Sequence, residues 1–166
     1  MARLAPVRRI TLVLLVAALA GCGGSSKPAA VTTAAVPKPG PGQVLYQGGD
    51  WAVVLSGGAA RALHLVGGSW QPDTSGLVKV TVLGPHGTAA ATPQVAAEIS
   101  AKAPLVESGL WVDGAQLLAK GGGLSPTRGT IYGAPDAPLA SGKHVAVAYA
   151  RTDGHGTAVA WSFRVA

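Results

Sequence analysis

The chain has 166 residues, with 24 glycines, 12 prolines and one cysteine; a single cysteine excludes an intramolecular disulfide framework or a cysteine-cluster zinc site, and the glycine and proline load weighs against a helical bundle because both weaken helix interiors. A charged fraction of only 12% with a mean hydropathy of +0.36 argues against a wholly disordered chain. The net charge of +6 is uneven: without Arg3, Arg8 and Arg9 the rest carries 10 basic against 7 acidic residues, or +3, with no basic run interleaved with aromatics, so nucleic acid is not an expected partner.

Those three arginines form a positive n-region, and residues 10–20 are an apolar run interrupted only by Thr11. The run is too short for a bilayer span of about 20 residues but suits a signal-peptide core. It ends in Leu19-Ala20-Gly21-Cys22. This motif resembles the lipobox of bacterial lipoproteins, an aliphatic residue, a small residue, Gly or Ala, then Cys, and all four positions match. The resemblance implies removal of residues 1–21 by cleavage between Gly21 and Cys22 and acylation of Cys22. The membrane lipid is then a partner, and the location is the extracytoplasmic side of a bacterial envelope. Two or more acyl chains, at about 0.8 kcal/mol per buried methylene, give the stable anchoring that one chain does not. The competing readings are an ordinary secretory signal with Cys22 a bystander and an uncleaved membrane anchor.

Residues 22–43 read as a disordered, flexible tether. After Cys22 the segment is dominated by Gly, Ser, Ala, Thr and Pro, and Pro37, Pro39 and Pro41 alternate with Lys38 and Gly40. That pattern excludes helix and favours extended polyproline-like backbone. Its expected role is to hold a folded domain away from the lipid headgroups.

From residue 44 onward, apolar stretches alternate with turn signals at short intervals, the pattern of a β-sandwich or barrel. Residues 44–75 carry two or three short strands around Leu45, Val53 and Leu63. Some 30 residues cannot build an independent core, so this meander is expected to pack on the domain that follows. Val78, Val80 and Val82 alternate with Lys79 and Thr81. The stretch from Ala89 is alanine-rich, but Thr92-Pro93 breaks it, and residues 94–100 read with period two as a strand. Leu110 and Val112 run into Asp113-Gly114, a favoured type I′ hairpin dipeptide. Val145, Val147 and Tyr149 alternate with alanines. In the last segment Val159, Trp161, Phe163 and Val165 share one face, with Ala160, Ser162 and Arg164 expected on a solvated one.

Residues 76–166 carry Pro85-x-Gly87, Pro93-x-Val95, Val112-Asp113-Gly114, Pro138-Leu139-x-x-Gly142-x-His144 and Trp161-x-Phe163-x-Val165. Their order and spacing resemble the bacterial immunoglobulin-like modules of envelope and secreted proteins. The resemblance implies an immunoglobulin-like β-sandwich in which the Asp-Gly turn joins two central strands and the Trp-x-Phe-x-Val segment is the last strand. Such modules often carry Asp-x-x-Gly-Asn before that strand; Asp153-Gly154-His155-Gly156 here lacks the Asn. The absence of a Cys…Trp…Cys arrangement sets the chain apart from antibody domains. The expected fold class is thus all-β, an immunoglobulin-like sandwich with an extra N-terminal β-meander.

The chemistry-bearing residues are scattered. No Gly-x-Ser-x-Gly elbow is present, and the nearest candidates for paired carboxylates, Glu98, Glu107 and Asp113, each read as a solvated strand or turn residue. His64, His86, His144 and His155 show no metal-ligand spacing and read as exposed turn residues, so no metal and no cofactor is expected. Lys120-Gly121-Gly122-Gly123 resembles a phosphate loop but lacks the Lys-Ser/Thr that follows one, and reads as a flexible turn. Trp111 has two readings: if Leu110 and Val112 face inward, it faces outward, either packed beneath the meander or marking an interaction surface. The expectation is a lipid-anchored, non-catalytic binding module whose partner is an envelope protein or a cell-wall glycan. The alternative is a small-molecule or metal-binding accessory protein using the loop histidines; a hydrolase ranks third.

Overall fold

In the computed structural model, which describes residues 37–166, the alternating apolar runs are β-strands and no helix occurs among the described residues. The signal segment, the lipobox with Gly21 and Cys22, and the tether up to residue 36 lie outside the described residues.

The first four strands, β1 (Gln43–Gly48), β2 (Trp51–Ser56), β3 (Ala59–Val66) and β4 (Ser69–Pro72), pair antiparallel in chain order as one sheet. Two of its turns are Gly57-Gly58 and Gly67-Gly68, each with two consecutive positive φ angles (58° and 79°; 58° and 80°). That is the type I′ geometry whose twist matches the flanking strands, and glycine reaches it without steric cost. The meander therefore holds four strands; the fourth, around Trp70, is one more than the sequence pattern shows, because Ser69–Pro72 is too short to display a period.

The remaining strands are β5 (Val78–Gly84), β6 (Thr88–Ala89), β7 (Val95–Ala101), β8 (Glu107–Val112), β9 (Ala115–Gln116), β10 (Lys120–Ser125), β11 (Arg128–Gly133), β12 (Gly142–Arg151) and β13 (Gly156–Val165). They form two sheets, in the orders β10-β11-β7-β5 and β6-β13-β12-β8-β9. Lettered A, A′, B, C, C′, D, E, F and G in chain order, these are a DEBA sheet facing a sheet whose centre is G-F-C, the immunoglobulin arrangement. The short A′ strand, β6, pairs parallel with the last strand through Thr88 and Ala89. The fold is all-β, an immunoglobulin-like β-sandwich carrying an extra N-terminal meander. The Gly-rich stretch read as a flexible turn is strand β10, paired with β11 from Lys120↔Tyr132 to Gly123↔Gly129. A ladder needs only backbone N–H and C=O groups, so glycine can occupy this edge position while leaving no side-chain alternation to read.

Between the two sheets lies an aliphatic core: Val78, Val80, Val95, Ala97, Ile99 and Ile131 from one side, and Leu110, Val112, Ala146, Ala148, Ala150, Phe163 and Val165 from the other. The opposite face of the five-stranded sheet is also covered. Trp51, Val53 and Ala62 of the meander close over Trp111, Val147 and Tyr149, with Ala158 and Ala160 packed against them. This changes the reading of β13. Phe163 and Val165 are buried, Val159 and Trp161 pack half-buried on the same core, and Ser162 and Arg164 are exposed, but Ala160 lies under the meander rather than in water. A strand buried on both faces reads as a near-continuous apolar run, as Val145 to Ala150 does in β12.

Candidate functional site

The three carboxylates that catalysis would draw on are each tied to a cation. Glu98 on β7 is paired with Arg128 on β11, and Glu107 accepts from Arg151 Nε at 2.7 Å across the β8–β12 ladder. The Tyr46 hydroxyl also turns to Glu107; burial, and then that carboxylate, push its pKa up to about 12. Asp113, at φ +50 in the Asp-Gly turn, accepts from Val145 N at 2.9 Å with Oδ1 and from His144 Nδ1 at 2.6 Å with Oδ2. His144 is not an exposed turn residue. It is 7% exposed, and its Nε2 donates to Ala140 O at 2.8 Å. With an acceptor facing each ring nitrogen, the imidazolium is favoured: the Asp113 hydrogen bond first, then the Ala140 carbonyl, raises its pKa.

Two further histidines also find aspartates. His64 stacks on Trp51 with ring centroids 4.4 Å apart and planes 3° from parallel, and its Nε2 lies 2.8 Å from Asp50 Oδ2. The His64 hydrogen bond holds the Asp50 carboxyl below its ordinary range. His155 Nδ1 lies 3.3 Å from Asp73 Oδ2, which also accepts from Gly156 N at 2.7 Å, while Asp73 Oδ1 accepts from Ser75 N at 2.8 Å. Burial works to raise the Asp73 pKa, but the Ser75 and Gly156 backbone donors outweigh it and hold the carboxyl low. Asp73 thereby fastens the end of the meander to the start of β13. Residues far apart in sequence make these pairs, 14 positions for His64–Asp50 and 31 for His144–Asp113, so spacing could not reveal them. Among the described residues no three His, Cys, Asp or Glu side chains converge in a way that could hold a metal ion.

Of its two readings, Trp111 takes the packed one. It faces outward from the sandwich, as the alternation of Leu110 and Val112 requires, but it is 2% exposed beneath the meander. Its ring lies over Gly109 two residues earlier, where a Cβ would stand 2.5 Å from Trp111 Cη2.

A concave feature lies on the meander's other face. There Ala52, Val54 and Leu63 form a small apolar patch with Val44 and Trp70 packed against it. The proline-rich segment ahead of β1, read as free tether, crosses this patch. Pro39 is buried, whereas Pro37, Lys38 and Gly40 are exposed, and Trp70 Nε1 donates to Pro37 O at 2.6 Å. Trp70 sits on β4 and the segment ends at β1, the opposite edge of the sheet. Three strand spacings amount to about 14 Å, within reach of six residues, but the segment is not the extended polyproline-like backbone its composition suggests: it turns at Pro39, where Gly40 N donates to Lys38 O at 2.8 Å, and Gly40 and Gly42 have φ of +79° and +127°. Between segment and sheet a groove of about 500 Å3 remains, walled by Pro37, Pro39 and Pro41 on one side and Val54, Leu63 and Trp70 on the other, with Lys38 and Arg61 also lining it.

No protein-family model matches the chain, and no curated protein matches it. Among solved structures, the titin Ig tandem domains A164-A165 align over 73% of this chain and 75% of that one, at 6% identity and a TM-score of 0.36. The fold assignment rests on the strand order described above.

Proposed function

We propose that the chain is a lipid-anchored protein of a bacterial cell envelope that displays a non-catalytic immunoglobulin-like binding module. The anchor reading is supported by Leu19-Ala20-Gly21-Cys22, in which the only cysteine of the chain stands at the acylation position. The non-catalytic reading is carried by one observation: Glu98, Glu107 and Asp113 are each committed to an ion pair with a cross-strand or neighbouring-strand partner. A general acid or base must reach substrate with its working oxygen or nitrogen, and these groups are occupied in holding strands together. The partner is a protein or a cell-wall glycan met at the membrane surface. Phase partitioning of the full chain against its Cys22→Ser variant tests the anchor. The wild-type chain is expected in the detergent phase and the variant in the aqueous phase; retention of the variant in membranes at the wild-type level would sink the reading.

A further inference from the structure

We propose that Lys143 and Arg164 form a docking site for the phosphate group of a phosphorylated glycan. The two residues are directly opposite partners in the β12–β13 ladder, so their side chains stand on one face with Cβ atoms about 4.5–5.5 Å apart. Both are exposed, and neither pairs with a carboxylate among the described residues. Most of the carboxylates are taken: Asp50, Asp73 and Asp113 by histidines, Glu98 and Glu107 by arginines. Asp153 lies in the turn at the far end of the same ladder, beyond Arg151↔Gly156, about 25 Å off at the rise of a strand. Like charges directly opposite each other destabilise a strand pair, so an anion bound between them relieves a cost that the empty ladder carries.

The neighbours of the pair set the chemistry of the ligand. Thr88 of β6 is the parallel partner of Arg164, and Ser162 stands two residues from Arg164 on the same face; both are exposed. A guanidinium fork grips two oxygens of a phosphate, the ammonium adds a point charge, and the hydroxyls donate to what remains. A carboxylate has only two oxygens and one charge, whereas a phosphate monoester carries about −1.5 to −2 at neutral pH and answers both cations. A peptide finds no free edge here, since β12 and β13 are each paired on both sides. A membrane finds no apolar anchor, since the exposed Val66, Leu83, Val106 and Leu118 lie outside the patch, and the exposed Lys79 and Lys120 belong to the other sheet. Sugar hydroxyls, in contrast, meet Thr88 and Ser162. This inference rests on the binding-module reading above and narrows its partner to a phosphorylated glycan. The anchor depends on neither cation, so failure of the phosphate experiment leaves the Cys22→Ser result untouched.

The test is thermal melting and backbone-amide NMR of the full chain in non-ionic detergent, titrated with inorganic phosphate or glucose 6-phosphate at constant ionic strength. Both probes are expected to raise the melting midpoint saturably and to shift the amides of Thr88, Lys143 and Arg164, while glucose does neither. In phosphate-free buffer Lys143→Gln and Arg164→Gln are each expected to melt about 1–3 °C above the wild-type chain, because the repulsion is gone. Each is also expected to bind phosphate about tenfold more weakly. Lys79→Gln, an exposed cation of the other sheet, is expected to keep the wild-type affinity. Wild-type affinity in Lys143→Gln and Arg164→Gln, an equal loss in Lys79→Gln, or lower melting midpoints of the two variants in phosphate-free buffer would each overturn the proposal. A larger response to phosphatidylglycerol added to the micelles than to glucose 6-phosphate would assign the pair to the membrane and overturn the glycan as its partner.

Discussion

The five-stranded sheet is buried on both faces, by different means on each. Toward the sandwich it presents Leu110, Val112, Ala146, Ala148 and Ala150, and the facing sheet answers with Val80, Ile99 and Ile131. Toward the meander it presents Trp111, Val147 and Tyr149, and the answer is Trp51 with Val53 and Ala62. Tyr46 and Tyr149 meet there with ring centroids 5.7 Å apart. A four-stranded meander of some 30 residues has too few positions to build a core from aliphatic side chains. Aromatic rings bury about 150–250 Å2 each, so a few of them can fasten so small a sheet. Their polar atoms are the drawback: Trp51 Nε1 and Tyr149 OH are buried without a hydrogen-bond partner among the described residues. Trp161 Nε1, on the sandwich side, is buried without a partner as well, so the two interfaces differ in the size of the groups they bury: the sandwich interior is dominated by aliphatics and the meander interface by aromatic rings.

The sharpest way to break this contrast is Trp111→Ala. Removing a buried aromatic costs about 3–5 kcal/mol, and here the void opens under the meander. A urea titration should show a large loss of midpoint, with Trp51 fluorescence shifting at or before the transition of the sandwich. A loss below about 1 kcal/mol would mean that the meander adds little to the fold.

Next in size is Gly156→Ala. A Cβ at Gly156 would stand 2.8 Å from Trp51 Cζ3 and 3.1 Å from Arg151 Cβ. Trp51 has no exposure and so no room to withdraw. Overpacking of this kind costs about 1–3 kcal/mol. Thermal melts would read it directly; an unchanged midpoint would show that the indole is not seated on β13.

Acid and alkali should separate the two regions. His144 belongs to the sandwich and has a raised pKa. Its contribution is complete below the ordinary histidine value of about 6.5 and is lost as pH climbs through the raised one. Asp73 joins the meander to β13 and has a lowered pKa. Its contribution is complete above the ordinary carboxylate value of about 3.9 and is lost as pH falls through the lowered one. Urea midpoints across the pH range should therefore lose their alkaline slope in His144→Gln and part of their acid slope in Asp73→Asn. Unaltered slopes in either variant would remove that pair from the account.

The smallest effect sharpens the comparison by its sign. Tyr149→Phe deletes a buried hydroxyl that has no partner, so it should leave stability unchanged or raise it by up to about 1 kcal/mol. A loss above that size in calorimetry would show that the hydroxyl is bonded in solution.

Most of the architecture was legible in the sequence because strands with large alternating residues advertise themselves: Val78, Val80 and the run from Val159 to Val165 became β5 and β13. The Asp113-Gly114 turn was legible because few dipeptides accept two positive φ angles, and Gly57-Gly58 and Gly67-Gly68 offered the same signal. Strand β10 was not, since three consecutive glycines leave no side chains to alternate. The outward position of Trp111 followed from period two, but what covers it depended on where a separate sheet docks. The histidine–aspartate pairs and the Trp70–Pro37 contact, 33 positions apart, are tertiary, and no local pattern encodes them.

The proline segment also decides how the domain meets a mechanical load. Tension arriving along the chain ahead of Pro37 reaches the Trp70 clasp before it reaches any strand. The clasp is one hydrogen bond and one buried ring, far weaker than a strand ladder. It should yield first, paying out the few residues between Pro37 and Gln43 as slack while the sheets stay intact. Only then would force fall on β1, which lies at the edge of the meander and pairs on one side alone. The molecule is thus fused in series, with its weakest link placed at the end where a pull on the N-terminal segment enters.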